Sequence, residues 1–267
     1  MTPDYWLRQA GKPLYPELEW NQPEHKARAG KLLIAGGTGY AFAAPANAYG
    51  DALAAGIGTA KVLLPNSMQK TVEHLFPEAE FAPSTPSGSF ASSGLAPLLD
   101  LATWANGVLL PGDIGRSSET SVMLESFLEK YQGQVTITKD MADFFSDNPL
   151  PVLHRPETLL VLAMGQLRRL SSSAKFSRAF TSEMGLVALV DTLHEFTKRF
   201  APYIITKHQG NYVVAVSGQV STTPIKTDAP IWRIPTAATS SVWWLQNPTR
   251  PFQALTTAIY SLNLLNK

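Results

Sequence analysis

The sequence has no cysteine, which excludes disulfides, thiolate metal sites and a cysteine nucleophile. Charge of either sign is scarcely in excess. The 22 Lys and Arg against 21 Asp and Glu leave a formal net charge of +1, which gives no electrostatic basis for binding nucleic acid or an anionic membrane. No window reaches the roughly 18 uninterrupted apolar residues of a membrane span. The first ten residues lack the basic-then-apolar pattern of an export signal, so the expected location is cytoplasmic. The histidines (His25, His74, His154, His194 and His208) show no metal-ligand spacing, and no metal is expected. Carboxylates run out early, with no Asp or Glu after Asp228.

What is present is a pair of matching signals. The aliphatic run Lys31–Ala35 stops at Gly36-Gly37-Thr38-Gly39, and Gly107–Pro111 stops at Gly112-Asp113-Ile114-Gly115-Arg116 before the serines Ser117 and Ser118. A buried parallel strand that ends in a Gly-rich turn and leads into a helix presents bare N–H groups at one sheet edge. Such an edge binds anions and small ligands. Gly36, Gly37, Thr38, Gly112, Asp113, Gly115 and Arg116 are therefore candidate ligand contacts, with tight structural turns and an idle surface arginine as the competing explanations. No Gly-x-Ser-x-Gly elbow follows any strand.

Strand-like runs at 31–35, 60–64, 107–111, 134–138, 158–163, 202–206 and 211–216 alternate with helix-like segments. Most are continuously aliphatic or β-branched, as strands covered on both faces are. Helical spacing is clear over 118–131 and 183–200, and Pro251 opens a last helix after Thr249 or Arg250. Alternation of this kind implies right-handed crossovers and a parallel sheet between two helical layers. The segments Asn211–Ser217 and Gln219–Ile225 read instead as an antiparallel pair turning at Ser217-Gly218. The Ser/Pro/Gly stretch 83–94 reads as a loop, and no linker divides the chain. One domain is expected over 1–267, with 1–29 as an N-terminal extension packed on it.

These pieces, in this order, resemble the ribokinase-like superfamily, specifically its NAD(P)H-hydrate dehydratase branch. The resemblance is carried by His25-Lys26, Gly30, the strand and turn Leu32–Thr38, Ala44-Pro45, Ala52–Gly58, Val62–Pro65, Gly112–Arg116, Thr136–Asp140 and Ile204–Lys207, across about residues 20–265. It implies an α/β/α three-layer sandwich with nine or so mostly parallel strands and antiparallel edge strands. It also implies ADP or ATP and an NAD(P)H-type compound as ligands, and assembly into a homo-oligomer. The implied reaction is dehydration of hydrated NAD(P)H, in which an aspartate in a Gly-Thr-Gly-Asp turn activates a hydroxyl for phosphorylation. Amides at the same helix start would stabilise the transferring group.

The chain departs from that pattern where the reaction needs it. Ala238-Thr239-Ser240-Ser241 stands against the Gly-Thr-Gly-Asp turn, so both glycines and the acid are missing. A serine hydroxyl cannot take the proton as a carboxylate does, and loss of a general base costs roughly 10²–10⁴ in rate. Thr239, Ser240 and Ser241 keep hydroxyls at an expected helix start, suited to anion binding or to ordinary capping. Gln166 places an amide where the family has a carboxylate, on what reads as a strand through 160–166. Asp140 lines the pocket or caps the helix that follows it. Lys207 reaches a nucleotide or sits in a solvated hairpin tip with His208. His194 reads as a packing residue, and Trp243 and Trp244 as core or as base-stacking rings. Three functions stay open: a binder of a nucleotide or dinucleotide with altered or lost dehydratase activity, an active kinase or lyase using Asp113, Asp140 or Asp228, and a non-catalytic structural or regulatory protein.

Overall fold

The computed structural model describes residues 3–74, 76–227 and 229–265. Ten strands form one sheet: β1 Trp6–Arg8, β2 Lys31–Ala35, β3 Thr59–Pro65, β4 Ala79–Ala82, β5 Gly107–Leu110, β6 Gln134–Thr138, β7 Thr158–Val161, β8 Tyr203–His208, β9 Asn211–Val216 and β10 Gln219–Pro224. Their spatial order is β1-β10-β9-β8-β7-β6-β5-β2-β3-β4. Only β9 is antiparallel to its neighbours, pairing so with β8 and β10, and every other pair is parallel.

The helices are α1 Pro16–Trp20, α2 Ala43–Ala54, α3 Gln69–Val72, α4 Leu95–Trp104, α5 Ser118–Lys130, α6 Leu150–Leu153, α7 Met164–Ser173, α8 Leu186–Arg199, α9 Arg233–Gln246 and α10 Pro251–Leu265. Both sheet faces are covered, and the strand pleat divides the side chains between two cores. On β2, Leu33 and Ala35 join the core under α4, α5, α7 and α8, while Leu32 and Ile34 join the one under α2, α9 and α10. Continuous aliphatic runs are what such double coverage requires. Among the described residues no helix is long and apolar enough to cross a membrane.

The expected sandwich, mostly parallel with an antiparallel region around Ser217-Gly218, is the observed one. Three local readings are corrected. β1 and β4 add strands that the pattern did not reveal, because three and four residues are too few to show a period. The run at 158–163 ends as strand at Val161, and Gln166 lies in the first turn of α7, where its side-chain oxygen accepts from Ala163 N. The largest correction is at α9. The helix begins at Arg233, so Ala238–Ser241 lie inside it and not in a turn at its start.

Candidate functional site

In a sheet of this topology the carboxyl ends of β2, β5, β6, β7 and β8 share one rim. The turn after β2 and the turn after β5 meet there directly, with Gly37 N donating to Gly112 O at 3.2 Å. Lys139 and Asp140 follow β6, Lys207 lies half-buried one residue before the end of β8, and α9 enters from the same side with Arg233. The far end of α9 is at the opposite rim, where Gln246 donates to Ala29 O and Gly56 O. Trp243 and Trp244 are core residues, each 1% exposed, and the Trp244 ring packs edge-on against Tyr203 at the start of β8.

The amides that the first turn offers to an anion are already engaged. Gly36 N donates to Leu63 O, Thr38 N to Ala41 O and Gly39 N to Gly88 O. In the second turn the anion is the chain's own. Asp140 accepts from Asp113 N at 2.9 Å and from Ile114 N at 3.1 Å. Asp140 therefore does not cap the short helical segment that follows β6, which begins without a side-chain cap. The carboxylate packs so closely on Gly112 (φ +111°) that no β-carbon would fit there. Asp113 has φ 59° and Lys139 has φ 52°, a backbone region costly for non-glycine residues. Asp113 is fixed by two bonds. One is a 3.0 Å salt bridge to Lys139 Nζ, and the other is acceptance from Ala44 N at 2.7 Å, in the first turn of α2.

At the start of α9 the arrangement is equally self-contained. Arg233 Nη1 donates to Gln166 Oε1 at 2.7 Å, and Gln166 Nε2 donates to Lys139 O and to Asp143 Oδ1. Arg169 closes the group on the same Asp143 oxygen at 2.6 Å. Burial lowers the Arg233 pKa, and the carboxylates of Asp143 and Asp140 act in the opposite direction. Pro235, the third residue of the helix, removes one of the first-turn N–H groups. Asp228, the last acid of the sequence, lies outside the described residues.

The candidates Thr239, Ser240 and Ser241 do not reach the rim. They are 2%, 0% and 3% exposed, and Ser241 Oγ bonds to Thr136 Oγ1 and Ala237 O. Their small side chains let α9 lie between α2 and α10 on top of β5 and β6.

The open space at the rim lies beside the Gly-rich turns. A cleft of about 450 Å³ is floored by Thr38, Ser89 and Gly115, and walled by Arg116, Ser117 and Ser118 at the start of α5. Tyr40 and Ser87 complete its mouth. That volume falls in the range of roughly 300–1,000 Å³ common for small-molecule sites. Thr38, Gly115 and Arg116 were visible in the sequence. The serines 87 and 89 were not singled out, although their segment is dense in hydroxyls. Among the described residues, no three His, Asp or Glu side chains converge as a metal site.

No family model matches the sequence, and no curated protein does. Solved structures share the fold. A ribokinase-like superfamily protein from Enterococcus faecalis superposes with a TM-score of 0.74 at 14% identity, over 99% of this chain and 88% of that one. An ADP/ATP-dependent NAD(P)H-hydrate dehydratase from Bacillus subtilis, co-crystallised with ATP/Mg²⁺ and soaked with CoA, gives 0.60 at 15% over 95% and 88%. A phosphomethylpyrimidine kinase from Clostridium difficile gives 0.52 at 10% over 86% and 98%. The fold of this chain is ribokinase-like.

Proposed function

We propose that this ribokinase-like protein binds a phosphate-bearing small molecule, a nucleotide or dinucleotide, at the carboxyl rim of its sheet, and that it has lost ADP/ATP-dependent dehydration of hydrated NAD(P)H. Support for binding comes from the rim cleft with Arg116, and from the Bacillus subtilis relative that was co-crystallised with ATP/Mg²⁺.

The observation that carries the loss is the pairing of Asp140 with the amides of Asp113 and Ile114. A transferring phosphoryl group needs positive amide dipoles aimed at it and a free base beside it. Here the dipoles of that turn are neutralised by a resident carboxylate. Asp113 is held by Lys139 and by the first turn of α2. The described part of the α9 entry contributes a cation, Arg233, and no acid.

Thermal shift with ADP, ATP, NADH and NADPH tests the binding half. A ligand present at one hundred times its Kd raises apparent stability by about 2.7 kcal/mol, and at least one of the four is expected to do so. Incubation of hydrated NADH with ATP or ADP tests the other half, and no turnover above the uncatalysed rate is expected. Turnover abolished by Asp140→Asn or Asp113→Asn would identify an active enzyme working through a different acid. Absence of stabilisation by all four at millimolar concentration would leave a structural protein built on this fold.

A further inference from the structure

We infer that the rim cleft is the anchor for a terminal phosphomonoester on a hydroxyl-rich small molecule, gripped by Arg116, the start of α5 and the unpaired hydroxyl of Ser89. The inference rests on the reading that the rim binds a phosphate-bearing compound, and it names the part of the compound that is held.

Ser89 is the least ordinary of the three. It is 5% exposed, lines the cleft, and its Oγ has no hydrogen-bond partner among the described residues, although its N–H and C=O are both engaged with Thr85. The residue is nearly buried, but its Oγ is not among the buried unpaired polar atoms, so the hydroxyl keeps contact with the solvent of the cleft. A β-carbon added to Gly115 would come within 3.0 Å of Ser89 Oγ and 3.1 Å of Thr38 Cγ2, and Gly115 itself has φ +75°. The chain thus keeps the floor free of side-chain bulk at the point where the unpaired hydroxyl is presented.

Arg116 supplies the charge. It is exposed and lines the cleft, and no carboxylate engages it among the described residues. By contrast, Lys139, Arg169 and Arg250 each have an acidic partner. Next to it begins α5, thirteen residues long, whose first-turn N–H groups have no carbonyl within the helix. Ser117 Oγ accepts from Thr120 N, which leaves the amides before it to an outside acceptor. The acid in the first turn of α5, Glu119, is engaged elsewhere, with Oε1 2.8 Å from both the N and the Oγ of Ser92.

The same lining sets the ligand class. Hydroxyls surround a single guanidinium, and among the described residues no carboxylate lines the cleft. A magnesium-bound polyphosphate is usually held partly through carboxylates on its metal. A phosphomonoester needs only the fork of an arginine and backbone or hydroxyl donors, and the remaining hydroxyls suit a sugar or polyol body.

Isothermal titration compares AMP with adenosine and ribose 5-phosphate with ribose, alongside inorganic phosphate and ATP with magnesium. The wild type, Arg116→Ala and Ser89→Ala are titrated under the same conditions. At least one phosphorylated compound is expected to bind ten times or more tightly than its dephosphorylated partner, and to weaken as salt rises. Arg116→Ala should lower that affinity about tenfold to a hundredfold, and Ser89→Ala by several-fold. Arg116 is exposed, so its variant keeps the test sound if Ser89→Ala misfolds. Equal affinity for both members of each pair would overturn the inference. So would unchanged binding in Arg116→Ala, or binding of magnesium ATP but of neither monophosphate. In all of these cases the rim would still bind a ligand, and the broader reading would stand. Binding of none of the compounds, nor of the dinucleotides, would remove both.

Discussion

One buried guanidinium joins three chain segments. Arg155, 6% exposed, donates to Leu128 O at the end of α5, to Tyr131 O and Gly133 O before β6, and to Pro156 O, Glu157 O and Thr158 Oγ1 ahead of β7. Arg155→Met would leave those carbonyls without their donor, and a loss of roughly 3–5 kcal/mol in urea unfolding is expected. Arg155→Lys should recover only part, since an ammonium has fewer donors and no fork. Asp51 is the opposite case. Burial raises its pKa, and no donor among the described residues relieves it. A carboxyl whose folded pKa is raised favours the protonated fold, so its contribution is best below the unfolded pKa and is lost as pH rises through the folded one. Asp51→Asn is therefore expected to raise the Tm at pH 7–8, with the difference vanishing in acid below about pH 3.9. The glycines at 36, 37 and 112 were legible from their place after aliphatic runs. The role of Asp140 was not, because its partners are 26 and 27 residues away, beyond any local capping pattern.

Among the elements, α9 was hardest to read. An amphipathic helix announces itself by a polar face, and α9 has almost none, with every residue from Thr236 to Trp244 buried. Its Thr-Ser-Ser core therefore looks like a turn, and Pro235 hides the true start one turn earlier. Restoring the missing acid by Ser241→Asp would place a carboxylate against Thr136 in the sheet interface. A loss of roughly 3 kcal/mol or more in chemical denaturation is expected, with no turnover of hydrated NADH gained. Ala238→Leu, at a position 0% exposed, should cost about 1–3 kcal/mol through overpacking. The strands of the sheet centre were legible because both their faces are apolar. β4, Ala79–Ala82, was missed because only Phe81 of its four residues carries a strand signal.

At the scale of the whole molecule, the sheet ends on one side in β1, whose three residues pair with Val220, Ser221 and Thr222. Side chains fasten it: Trp6 Nε1 donates to Thr222 Oγ1, Gln9 reaches Thr223 Oγ1 and Thr256 O, and Tyr5 OH donates to Asp191 while stacking on the His194 ring at 3.6 Å. Removal of residues 1–10 would bare the ladder groups of β10, an unprotected edge that recruits other chains. Light scattering is expected to show concentration-dependent association, together with a lower Tm.

That short strand also has a timing consequence. Its hydrogen-bonding partner, Val220, comes more than 200 residues later in the chain. At ribosomal speeds of about 5–20 residues per second, the N-terminal strand waits on the order of 10–40 s for its mate to be synthesised. A strand made early is thus among the last to find its place.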